Sequence, residues 1–220
     1  MFALLRYLAA DVFRSHRYFP PAFLYLLVSA IFDARGDAGS ALNAYGASAL
    51  VLYPLGAWLA VAVGNAEDDT QRHITATATG GWTKVIGAVS LLSAAVLVPL
   101  ALVSTIWPAI TAAHHYRFTE LAIGFAAQLA CGLTGVAVGV LLGRPVLRKI
   151  GWSMLAIAAV VVITYQLGRI PPVGSMVGLL SNTPPTMASA AATVLESLAI
   201  AIVLIVGVTF GVSEVARRRG

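Results

Sequence analysis

Between two long apolar runs the chain carries Gly64-Asn65-Ala66-Glu67-Asp68-Asp69-Thr70-Gln71-Arg72-His73. Side chains of these types can do chemistry. Neighbouring carboxylates can move protons or hold a divalent cation, and a guanidinium or imidazole can steady a developing charge. They also fix a location. An Asp, Lys or Arg in hydrocarbon costs roughly 2.5–3.5 kcal/mol on insertion scales, so Glu67, Asp68, Asp69 and Arg72 together would cost on the order of 10 kcal/mol there. The segment therefore sits in water or against a partner. It runs on through Ile74 to Gly81, small and weakly polar, to Trp82, Thr83 and Lys84. Residues 65–84 read as a short cytoplasmic helix and turn that joins two membrane spans and receives mechanical force from another protein.

The catalytic readings lack partners. Glu67-Asp68-x-x-x-Arg72 is similar to the paired-acid motif of intramembrane CAAX-type proteases, but those need histidines embedded in the membrane. Here His114 and His115 fall in an external loop and His73 lies in the polar segment itself. An aspartate-rich prenyltransferase site needs two separated acidic motifs to hold magnesium and a diphosphate, and only one acidic cluster occurs. Adjacent helical residues point about 100° apart, and nothing near His114-His115 completes a metal-ligand set. They read as interfacial polar residues. No Gly-x-x-x-x-Gly-Lys-[Ser/Thr] loop is present, so the chain binds no ATP by a P-loop. Glu196, near the outer end of the last apolar run, either lines a pathway or snorkels to the surface. Gln128 either lines a pathway or bonds across helices.

The chain has 220 residues, 59% hydrophobic and 10% charged, with a mean hydropathy of +0.87. A soluble domain carries roughly 25% charged residues, so this composition predicts an all-α polytopic membrane protein forming one bundle. Cys131 is the one cysteine; a lone thiol forms no intramolecular disulfide, so the redox compartment is unreadable. Arg6, Asp11, Arg14 and Arg17 interrupt the first apolar stretch, which argues against a cleaved signal peptide and for an uncleaved first span.

Residues 1–19 form an amphipathic pattern. Arg6, Tyr7, Asp11, Arg14, Arg17 and Tyr18 fall on one side of a helix; Phe2, Leu5, Ala9, Val12 and Phe13 fall on the other. That predicts an interfacial helix with its arginines toward anionic headgroups. A bundle of six spans occupies residues 20–212, at 20–32, 44–63, 85–107, 121–142, 150–167 and 194–212. Pro54 would kink the second. Gly135-x-x-x-Gly139-x-x-x-Gly143 in the fourth lets backbones approach closely, either within the chain or in a dimer contact. Residues 168–193 hold Pro171-Pro172 and Pro184-Pro185 around an apolar middle, 176–180. This stretch is too broken to span and too apolar to be a free linker, so it reads as an external re-entrant or surface-lying segment.

Six spans put both termini on one side. Of the 14 Lys and Arg, all but Arg35, Arg117 and Arg169 then lie on that side, which the positive-inside rule makes cytoplasmic, in the cell membrane. The pI of about 9.7 does not point to nucleic acid, because the cations sit beside span ends, where topology and anionic lipid account for them.

An amphipathic N-terminal helix, six spans, a charged helix between the second and third, and a broken apolar segment before the sixth resemble the permease subunit of an ABC exporter of the ABC-2 type. The resemblance covers essentially the whole chain. Its most specific residues are Glu67-Asp68-Asp69-Thr70-Gln71-Arg72-His73 and then Gly80-Gly81-Trp82-Thr83-Lys84. It implies that 65–84 is a coupling helix fitting a groove on a separate P-loop ATPase subunit, with Glu67, Asp68, Asp69, Arg72 and His73 at the contact. It implies a second permease copy forming a homodimer, and ATP and magnesium held by the ATPase rather than by this chain, which is itself no enzyme. The absence of a large external domain favours a small amphiphile, peptide or antibiotic over a carrier-bound polysaccharide. Two rivals remain. A non-transporting scaffold or immunity protein could use the same polar segment to bind a partner. A secondary transporter would usually need ionisable groups near mid-membrane, and the spans carry none.

Overall fold

The computed structural model describes residues 2–16, 18–34, 41–111, 117–147, 149–168, 171–175 and 186–219. Arg17, Arg35, His114, His115, Arg148, Arg169, the apolar stretch 176–180 and Pro184-Pro185 lie outside the described residues.

The chain is all-α among the described residues. In order, the helices are α1 (Phe2–Ser15), α2 (Phe19–Ala34), α3 (Ala41–Gly64), α4 (Asp69–Thr79), α5 (Trp82–Thr111), α6 (Phe118–Leu142), α7 (Ile150–Leu167) and α8 (Met187–Arg219). Five of them, α3 and α5 to α8, are long and apolar enough to cross a membrane. The expected first span is the shorter α2, whose 16 residues rise about 24 Å, against a hydrocarbon core of about 30 Å.

Several boundaries differ from the sequence reading. The third expected span is part of a 30-residue helix that passes through both Pro99 and Pro108. Pro108 therefore lies inside the helix, not at its exit. Proline inside a helix frees a carbonyl and costs about 3 kcal/mol in water; packed neighbours re-satisfy the backbone in membrane helices. Trp82, Thr83 and Lys84 belong to the first turn of α5 rather than to the connecting segment. Residues 187–193, read as part of the external segment, are the start of α8. What remains of that segment among the described residues is a turn at 171–172 and a single helical turn at 173–175.

The bundle is organised on α6. It lies along α3, and α5, α7 and α8 also pack on it. Glycine makes the α3–α6 contact this close. A Cβ on Gly135 would run into the Tyr53 carbonyl oxygen, one on Gly139 into the Ala57 carbonyl oxygen, and one on Gly56 into the Gly132 carbonyl oxygen. Gly143 is at the end of α6, where a Cβ would stand 2.8 Å from the Gly139 carbonyl oxygen. The glycine spacing is thus occupied inside the chain, by α3.

The periphery is different. α7 buries a single stripe, Ser153, Ile157 and Val161, and α8 leaves Leu195, Val203 and Phe210 exposed. A soluble fold could not carry such faces; hydrocarbon covers them without cost.

Candidate functional site

α1, α4, the start of α5 and the end of α8 gather at one end of the bundle. Leu4, Leu8 and Val12 of α1 share a core cluster with Ile86 and Val89 of α5 and Val212 and Ala216 of α8. This corrects the expected faces of α1. The stripe that packs on the protein is Leu4-Leu8-Val12, at i, i+4 and i+8; Phe2 and Phe13, expected on the apolar side, are exposed with Arg6, Tyr7 and Arg14.

The polar segment begins where α3 stops. The Asn65 side chain donates to the Val61 carbonyl at 2.7 Å, and its backbone N–H donates to the same oxygen at 3.0 Å. Asp68 is the N-cap of α4 with extended backbone, and Asp69 is the first helical residue. Acids at this end complement the helix dipole. At the other end Gly80 and Gly81 take φ of 85° and 132°, in the left-handed range that favours glycine. The Gly81 N–H donates to the Ala76 carbonyl at 2.8 Å and the Gly80 N–H to the Thr77 carbonyl at 3.4 Å, which is a Schellman ending. Lys84 Nζ adds a bond to the Thr79 carbonyl at 2.8 Å. The chain then turns straight into α5, whose Thr83 and Ser90 hydroxyls meet Ser213 and Thr209 of α8 at 3.2 and 2.9 Å. α4 is therefore a capped rod fixed to two long helices.

Of the expected coupling residues, Glu67, Asp68, Arg72 and His73 do not share a face, and the Asp69 side chain lies outside the described residues. Glu67 is 4% exposed and Arg72 is 5% exposed. Glu67 accepts a bond from Thr75 Oγ1 at 2.9 Å, the Tyr7 phenol lies near enough to feel its charge, and Tyr7 accepts a bond from Gln71 Nε2. Glu67 and Arg72 are thus buried within the chain itself rather than standing out on its surface as the sequence reading expected. Burial, and then the charge of Glu67, push the Tyr7 phenol above its ordinary value. It stays protonated through the ordinary tyrosine range of about 10. Asp68 is exposed, and so is His73, whose ring stands edge-on to Trp82 with centroids 5.0 Å apart.

The outward face of α4 is Thr70, His73, Ile74, Thr77 and Ala78. These fall at i, i+3, i+4, i+7 and i+8, one stripe of a helix. Ile74 is 63% exposed on a helix too short and polar to enter the membrane. Sequence reasoning missed this stripe and the Tyr7–Glu67–Gln71 contact. The stripe was readable from the spacing around Ile74; the contact joins residues about sixty apart and left no local signal.

The two expected pathway residues separate. Gln128 is 0% exposed. It accepts from the Tyr25 hydroxyl at 3.3 Å and donates to Ser48 Oγ at 3.1 Å, which ties α2, α3 and α6 together. Of its two expected roles, the bond across helices is the one seen here. Glu196 is exposed on α8. Among the described residues no cluster of three His, Cys, Asp or Glu could hold a metal.

Comparison of the chain with protein-family models, with curated proteins and with solved structures found no match.

Proposed function

We propose that this chain is the permease subunit of an ATP-driven exporter of the ABC-2 type, working as a homodimer with a separately encoded P-loop ATPase. α2 serves as a short first span, giving six in all, with both termini and α4 on the cytoplasmic side of the cell membrane. A short span of this kind is tolerated where the bilayer thins locally. The cargo is a small amphiphile, a peptide or an antibiotic.

One observation carries the reading. A three-turn polar helix stands at the end of an apolar bundle, closed by a glycine turn at its C-terminal end, with Glu67 and Arg72 buried and an exposed stripe around Ile74. A rigid, braced helix transmits a push to α5 and through it to α8 and α6. A stripe of two Thr, one Ala, one Ile and one His, with no carboxylate, Lys or Arg, fits a largely apolar groove better than a cluster of charges. In this reading Ile74 and its stripe contact the ATPase, Asp68 and Asp69 sit at the rim, and Glu67 and Arg72 hold the helix in place.

The test is ATP-driven accumulation of labelled amphiphilic peptides in inverted vesicles that contain the chain and its ATPase. Burying an isoleucine side chain is worth about 1.5–3 kcal/mol, so Ile74→Asp should weaken ATPase binding at least about tenfold, the equivalent of 1.4 kcal/mol, and abolish accumulation. Glu67→Ala should leave the ATPase bound and ATP hydrolysed while accumulation falls. Wild-type accumulation by both variants would contradict the coupling role of α4.

A further inference from the structure

Phe2, Ala3, Arg6, Tyr7 and Ala10 line an open groove of about 430 Å³ on the outer face of α1. Phe2 is 82% exposed, and Arg14 continues the same face two turns on. The face calls for an occupant with both an apolar part and a negative charge. The aliphatic stripe of α1 is already spent on the protein core, so the exposed aromatic is not waiting for the bundle. A guanidinium binds phosphate oxygens through a planar fork of donors. The one acid on α1 is Asp11, and Glu67 is reached only through Tyr7. A phosphopeptide could supply the charge, but α1 lies at an end of an apolar bundle, where headgroups are the abundant anions.

We propose that this groove binds an anionic phospholipid, its phosphate at Arg6 with Arg14 as a second cation and its apolar part against Phe2, Ala3 and Ala10. Tyr7 forms one wall of the groove and also accepts a hydrogen bond from Gln71 of α4. A lipid seated there steadies the contact that fixes α4, so the anionic lipid content of the membrane sets how firmly the coupling segment is held. The inference rests on the membrane orientation proposed above, which places α1 at the cytoplasmic leaflet.

The experiment uses the full chain without an ATPase, in nanodiscs of phosphatidylcholine alone or mixed with phosphatidylglycerol. Native mass spectrometry reads retained lipid, and amide hydrogen exchange reads residues 69–79. The wild-type chain should retain phosphatidylglycerol over phosphatidylcholine, and α4 should exchange more slowly in the mixed discs. Arg6→Gln should cut that retention about fivefold, the equivalent of roughly 1 kcal/mol per basic residue at a membrane surface, and remove the slowing. Arg6→Lys, which keeps the charge but loses the planar fork, should retain phosphatidylglycerol better than Arg6→Gln and less well than the wild type. Equal retention by wild type and Arg6→Gln would overturn the lipid site, and α4 exchange that ignores phosphatidylglycerol would overturn its link to the coupling segment. Neither readout involves an ATPase, so failure here is distinct from failure of the exporter reading.

Discussion

Glu67 is a carboxylate taken out of water and kept there by neighbours from two helices. Such a group is costly unless donors replace its hydration, and here the Thr75 hydroxyl supplies one, with the Tyr7 phenol close by. Thr75→Val removes the hydroxyl that donates to Glu67 and keeps the side-chain shape. A hydrogen bond to a charged group is worth about 1.5–3 kcal/mol, so amide exchange in residues 69–79 should speed up at least about tenfold; unchanged exchange would show that the contact bears no load. Gln128→Leu should lower thermal stability by about 1–3 kcal/mol, because Ser48 and Tyr25 lose a buried partner, without altering which cargo is moved. A changed cargo range would restore Gln128 to the pathway. Both residues were visible in the sequence as polar groups in or beside apolar runs. Their roles were not, because each depends on a partner far along the chain: Tyr7 for Glu67, Tyr25 for Gln128.

At the scale of elements, the helices that could be read early were those whose signal is local. Long apolar runs gave α3, α5, α6 and α7, and the density of charge gave α4. The Gly135–Gly139 spacing announced a close backbone approach, but the surface approached, Tyr53 and Ala57 of α3, has no sequence mark. Gly135→Ala should cost about 1–3 kcal/mol by overpacking and lower the unfolding midpoint in detergent. Gly207→Ala, where a Cβ meets nothing, should leave the midpoint unchanged. The α1 faces were misassigned because a helix with leucines and aromatics around most of its circumference has no single apolar side; the bundle chose Leu4, Leu8 and Val12. The sharp turn after α4 was better marked, by consecutive glycines. Gly80 holds a φ of 85°, which costs a residue with a side chain roughly 1–2 kcal/mol, so Gly80→Ala should loosen the joint between α4 and α5. The expected result is export reduced while ATPase binding persists; intact export would show that the joint need not be rigid.

Over the whole molecule, the packing is graded. α3 and α6 meet backbone to backbone, whereas α7 and α8 turn most of their apolar surface outward. A tight centre with loosely held outer helices suits a protein whose halves shift when one end is pushed, and the outward faces leave room for both lipid and a second copy. In the proposed reading the push comes from a separate ATPase. The most direct measurement is therefore a mild-detergent pull-down of the tagged chain from its native cells, with every co-purifying protein identified, alongside the Ile74→Asp variant. The account predicts a stoichiometric P-loop ATPase with the wild-type chain and its loss with the variant. Recovery of the chain alone, or with a partner that has no nucleotide-binding loop, would contradict the exporter reading and leave α4 as the docking helix of a membrane scaffold.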